Sequence, residues 1–249
     1  MSKDMRMVLQ QLQPKIEEVI NSHLTPERLT RVVMLEITRT PKLKECSVQS
    51  FATAIMQCAM LGLEPGGAMG FVHLIPRGGK VTVQIGYKGW CELARRSGKV
   101  SGLNAGVFYT QEIERGLFEA SNEPAFIKHK WAHDVSKSDT DLAGAWAVAK
   151  MNDGSQVQVI LTRADLEKRM KKAMGGGKSG PWRDDFAAMC RKSAIKALLT
   201  GGLVDLSEEL IEAVNAEPEE HSPVVEVEEP LQIEVDPNAR ALAAIDSGN

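Results

Sequence analysis

Residues 61–99, "LGLEPGGAMGFVHLIPRGGKVTVQIGYKGWCELARRSGK", change backbone period twice. Just upstream, Phe51, Ile55, Cys58 and Met60 recur at helical spacing behind Ser47, a residue able to cap their helix. Pro65, Gly66 and Gly67 stop that helix. "FVHLIPRGGKVTVQIGY" then reads as two β-runs around Arg77-Gly78-Gly79-Lys80, a hairpin signal. "YKGWCELARRSGK" returns to helix, with Trp90, Leu93 and Ala94 expected inside and Arg95, Arg96 and Lys99 outside. Helix, hairpin and helix in so short a span predict an α+β fold.

The flanking sequence agrees. Val8, Leu9, Leu12, Ile16, Val19 and Ile20 predict a first helix. Thr25-Pro26-Glu27 supplies a cap, a first-turn proline and a first-turn acid before Leu29, Val32, Val33 and Ile37. Short strands are expected in "GVFYT", "LFEAS" and "AFIKHKWAH", and a further pair around the turn Asn152-Asp153-Gly154-Ser155. Thr162-Arg163-Ala164-Asp165 is a capping box with Asp for Glu, opening the basic helix "DLEKRMKKAM". A last helix over roughly 184–200 should bury Phe186, Met189, Ile195 and Leu198 and turn Arg191, Lys192 and Lys196 elsewhere. The expected architecture is a central antiparallel β-sheet of hairpins flanked by N-terminal and C-terminal helices.

Charge divides the chain in two. Residues 1–204 hold 29 basic and 20 acidic side chains, and residues 205–249 hold 13 acidic side chains and Arg240 alone, so +9 and −12 give the net −3. The basic body is expected to bind a polyanion and to oligomerise; the acidic segment, with a short helix in "SEELIEAV" and then several prolines, to be a flexible tail. A hydrophobic content of 43% suffices for a packed core, and no apolar run is long enough to span a bilayer. Cys46, Cys58, Cys91 and Cys190 form no CxxC pair, and the first residues lack a signal peptide's apolar stretch. Both features predict a cytoplasmic protein with reduced thiols.

"KKAMGGGKSGPWRDD", residues 171–185, resembles the end of a phosphate loop but fails as one. That loop requires glycine where Lys172 stands, and it follows a strand rather than a charged helix. His129 and His133 lie in an extended run, with no HExxH or Cys/His cluster, so no metal or other cofactor is expected. Asp184-Asp185 is read as helix-start charge rather than as a catalytic pair. Cations interleaved with aromatics remain. Tyr87, Lys88, Trp90, Arg95, Arg96 and Lys99 form one group. Lys168, Arg169, Lys171, Lys172, Lys178, Trp182, Arg183, Arg191, Lys192 and Lys196 form another. Such cations hold phosphates by charge, and flat rings stack unpaired bases. Trp90 and Phe186 are expected in the core.

The segments "LGLEPGGAMGFVHLIPR" and "VQIGYKGWCELARRSG", with the later "GPWRDDFAAMCRKSAIKALL", resemble the RecT family of bacteriophage single-strand annealing recombinases, over roughly residues 5–205. The resemblance implies a non-enzymatic protein that coats single-stranded DNA and pairs it with a complementary strand without ATP. It implies assembly into rings or helical filaments, work beside a phage exonuclease, and a bacterial host cell as the setting. Lys88, Arg95, Arg96, Arg191, Lys192 and Lys196 are the expected phosphate contacts, with Tyr87 and Trp182 stacking bases or shaping the groove. The acidic tail is expected to dock the exonuclease or a host single-strand binding protein, to shield the groove, or only to solubilise the chain. The competing readings are a regulatory oligomer that does not anneal and a metal-dependent nuclease.

Overall fold

Thr25 and Ser47 start their helices as their contexts require. In the computed structural model, which describes residues 3–67, 69–122, 125–174, 180–201, 204 and 213, each hydroxyl accepts a bond from the amide three residues on, Arg28 and Ser50 respectively, at 3.3 Å. Helix α1 spans Lys3–Val19, α2 Pro26–Arg39 and α3 Val48–Leu61, with a 3₁₀ turn at Pro41–Glu45. Leu9 and Ile16 of α1 are buried with Leu29, Val33 and Ile37 of α2 and Phe51, Ile55 and Cys58 of α3. Burial of each large apolar side chain contributes about 1.5–3 kcal/mol. Val19, in the same periodic series, faces solvent.

Gly62 ends α3 in the left-handed region at φ 58°, where a side chain would collide with Asn21. The hairpin follows, β1 (Val72–Arg77) against β2 (Lys80–Ile85), closing at Arg77 opposite Lys80. Helix α4 is Tyr87–Arg96, with Trp90, Leu93 and Ala94 fully buried as expected.

Strand β3 (Val100–Tyr109) leads into α5 (Thr110–Glu114), then into the hairpin β4 (Phe118–Asn122) and β5 (Ala125–His129). Strands β6 (Leu142–Met151) and β7 (Gln156–Thr162) flank the expected turn at 152–155. Every pairing between these strands is antiparallel and the class is α+β, as expected. The strands divide into a three-stranded sheet, β3-β6-β7, and two hairpins. Gly106 lies opposite Trp146 and Gly144 opposite Phe108, and each ring occupies the space a glycine side chain would need.

The capping box opens α6 (Arg163–Met174): Asp165 Oδ2 accepts the Thr162 amide at 3.0 Å, and Thr162 Oγ1 accepts the Asp165 amide at 3.3 Å. The glycine loop, residues 175–179, lies outside the described residues, as does the 205–249 tail with its expected helix, apart from the buried Ala213. The short helix α7 (Pro181–Asp184) precedes α8 (Phe186–Thr200), whose N-cap Asp185 accepts the Ala188 amide at 2.9 Å. Helix α8 is the centre of the molecule, packed on β6, β3, β7 and α4. Its small residues Ala194 and Ala197 let neighbours close around it, so α8 is buried on nearly every side rather than amphipathic. No helix among the described residues is long and apolar enough to cross a membrane.

Candidate nucleic-acid interface

The "GYKGW" turn places Tyr87 and Lys88 by close backbone approach. Gly86 donates its amide to Phe71 O at 2.8 Å. A side chain on Gly89 would overlap the same carbonyl, so only glycine lets the first turn of α4 settle onto the start of β1. With Trp90 anchored in the core, Tyr87 and Lys88 face outward. The Tyr87 phenol bonds to the Cys91 thiol one turn on. Partial burial raises its pKa, and the Arg191 guanidinium opposes that rise. Arg191 has the same opposing effect on Tyr109, whose phenol burial also raises. The two phenols and the exposed guanidinium thus share one electrostatic neighbourhood, bringing α4, β3 and α8 together.

Beside Tyr87 opens a cavity of about 500 Å3, bounded by the end of α2, the β1–β2 hairpin, the start of α4 and the α7–α8 corner. Tyr87, Pro181, Met189, His73, Glu36 and Lys192 are among its lining residues. Burial and the nearby Lys192 ammonium lower the His73 pKa below its ordinary 6.5, against the pull of Glu36. Neutral imidazole is therefore the form at neutral pH.

The structure separates the residues singled out in the sequence. Lys88, Arg95, Lys99, Lys168, Lys172, Arg183 and Arg191 are exposed, and Tyr87 is 36% exposed. Arg95 holds Glu92 through two bonds, Nη2–Oε1 at 2.7 Å and Nε–Oε2 at 3.1 Å. Glu92 is only 19% exposed and is shared with Arg96, so the Arg95 guanidinium is exposed but already engaged. Arg96 does not face out. Its side chain is 9% exposed, bonds Glu92 at 2.9 Å, and donates to Leu61 O at 3.3 Å and Gly62 O at 3.1 Å, satisfying the C-terminal carbonyls of α3.

Three further cations and one ring are buried. Lys192, Lys196 and Arg169 are 5–8% exposed because their elements lie inside the fold, where long aliphatic stems pack as apolar groups. The Lys196 ammonium sits 5.8 Å from the centroid of the buried Trp90 ring. Trp182 packs against Phe186, centroids 5.8 Å apart, with its ring in the core rather than offered to a base. Phe186 is buried as expected. Lys178 lies outside the described residues. Asp185 is occupied as a cap, and no group of metal-binding side chains occurs among the described residues.

The sequence reading missed several residues. Arg163 stacks on Phe186 at 4.6 Å, pairs with Glu167 at 2.8 Å and donates to Asp139 O and Leu142 O. It thereby pins α6 to both α8 and the start of β6. Glu112, buried, accepts the Tyr109 amide at 3.0 Å and pairs with His129 Nε2 at 3.1 Å. His129 Nδ1 in turn accepts Trp146 Nε1 at 3.2 Å. Only the acid three residues after Tyr109, at the start of α5, hinted at this chain of bonds.

Fold and surface together define an α+β protein with exposed cations on α4 and α8 and a cavity edged by Tyr87, whose lining includes the buried Lys192. Residues 27–226 match the model of the RecT family, and the chain belongs to that family. It is a recombination protein, and DNA binding follows from the family. The chain is 36% identical to Protein RecT of Escherichia coli (strain K12) over 200 residues, 75% of this chain and 71% of that protein. It is 28% identical to the Uncharacterized protein YqaK of Bacillus subtilis (strain 168) over 206 residues, 82% of this chain and 68% of that one. The family match runs past 204 into the acidic segment.

Proposed function

We propose that the chain binds single-stranded DNA along the Tyr87–Lys88 and Arg191 face and pairs it with a complementary strand without nucleotide hydrolysis. The observation that carries this reading is that exposed Arg191 acts on the partly exposed Tyr87 phenol, beside which α4 carries exposed Lys88, in a chain of this family. Two complementary strands repel each other through their phosphates, and a cationic face removes that barrier. Contacts to phosphate carry no sequence information, so one surface serves every sequence and the annealed duplex alike. Assembly of copies into a ring or filament multiplies weak contacts along one strand. The 205–249 segment then serves to dock an exonuclease or a single-strand binding protein in the host cytoplasm, its acidic charge also competing with DNA for the cationic face.

A fluorescence assay on complementary oligonucleotides, with and without ATP and across salt, tests the reading. Annealing without nucleotide that weakens as salt rises is expected; its absence at low salt would overturn it. Deleting 205–249 should abolish partner capture and change DNA affinity.

A further inference from the structure

We infer that the cavity beside Tyr87 is a docking site for a single unpaired nucleobase of the bound strand. The inference rests on the single-strand DNA reading above and adds a base contact to its phosphate contacts. At about 500 Å3 the cavity lies within the range, roughly 300–1,000 Å3, of pockets that enclose small organic molecules. Its walls suit a flat heteroaromatic ring. Ile75, Pro76, Pro181 and Met189 give apolar surface, and the partly exposed Tyr87 ring gives a stacking partner.

A few polar groups are set among those walls. Thr40, His73 and Gln84 each can donate and accept hydrogen bonds, so any base edge finds a partner. Neutral His73 suits this role, because an imidazole with one donor and one acceptor meets either kind of base edge. Two exposed cations adjoin Tyr87, one in sequence and one in charge. Lys88 follows Tyr87 in α4, and Arg191 is close enough to the Tyr87 phenol to act on its ionisation. A strand held there by its phosphates has one base beside the opening. Drawing that base out of the stack breaks self-structure and presents its neighbours for trial pairing, while the base contact itself is indifferent to sequence.

Oligonucleotides with abasic sites at regular intervals keep every phosphate and lose bases, so they separate the two layers of the reading. The full-length chain should bind the intact strand about tenfold more tightly than the abasic strand, with the same salt slope. Ala188→Leu fills the cavity from α8 and should bind both strands with the affinity wild type has for the abasic one. Tyr87→Leu, which keeps bulk and removes the ring, should narrow the difference even if Ala188→Leu fails to fold. Photo-crosslinking of 5-iododeoxyuridine strands to the unaltered protein should label Tyr87, His73 or Met189. Equal wild-type affinity for both strands, or crosslinks confined to other residues, would overturn the base site and leave the DNA reading standing. No binding of either strand at low salt would sink the DNA reading itself. Micromolar binding of free dTMP, with intact and abasic strands bound alike, would assign the cavity to a free nucleotide and refute the proposal.

Discussion

The first turn of α4 and the middle of α8 carry the same kinds of residue and use them in opposite ways. In "GYKGW" the indole is buried and the lysine beside it is exposed. In "RKSAIK" Arg191 is exposed, whereas Lys192 and Lys196 are buried, and Lys196 reaches the same indole, Trp90. A cation count in the sequence therefore overstates the surface charge available to DNA. Proximity in sequence to a nucleic-acid-binding pattern does not decide whether a lysine meets phosphate or holds the core together.

The comparison is most severely tested at the shared ring. Trp90→Ala empties a fully buried indole site between α4 and α8. It should cost about 3–5 kcal/mol, read by denaturant unfolding. A loss in DNA affinity without that instability would show that α4 and α8 are not joined through the core as described. Next comes Arg96→Ala, which leaves Leu61 O and Gly62 O without this donor and removes a partner of Glu92. A loss of about 1–3 kcal/mol is expected, and Arg96→Lys should recover only part of it because one ammonium cannot match the guanidinium fork. Were Arg96 a phosphate contact, lysine would restore DNA binding and stability would barely move in either variant.

Neighbours on α8 give a smaller and sharper contrast. Arg191→Ala should change stability by less than about 0.5 kcal/mol, yet weaken DNA binding equally for all sequences and flatten the salt slope by about one. Lys192→Ala should lower the melting temperature, since the side chain is 8% exposed and its removal leaves packing and polar partners unfilled. Matching effects of the two substitutions on melting temperature would erase the distinction between them.

What the sequence revealed and concealed follows the same division. Caps, turns and hairpins are local events. Thr25, Ser47, the Arg77–Lys80 turn and the Thr162–Asp165 box could be read directly because each depends on residues a few positions apart, whereas α3 ends at Gly62, ahead of the expected stop at Pro65, Gly66 and Gly67. Arg96 could not, because the carbonyls it satisfies belong to residues some 35 positions earlier. Helix α8 could not either. Helical periodicity assumes one face in water, and a helix enclosed by a sheet and other helices buries its lysine stems too. The cavity likewise depends on four segments distant in sequence, each read by itself and none read as sharing a site with the end of α2.

The finest test of the exposed edge against the buried core is pH, because His73 borders both the open cavity and Lys192. Burial and the Lys192 ammonium hold its folded-state pKa below 6.5, so the unfolded chain binds the proton more readily. Stability from this group is complete above the unfolded value, declines as pH falls through it, and is gone below the folded value. DNA should show a matching slope. An imidazolium can only donate, so the advantage of the intact strand over the abasic strand should shrink as pH falls over the same window. His73→Gln should remove both trends together. If only the melting-temperature trend vanished, His73 would act on stability alone, and the cavity edge would have to be drawn without it.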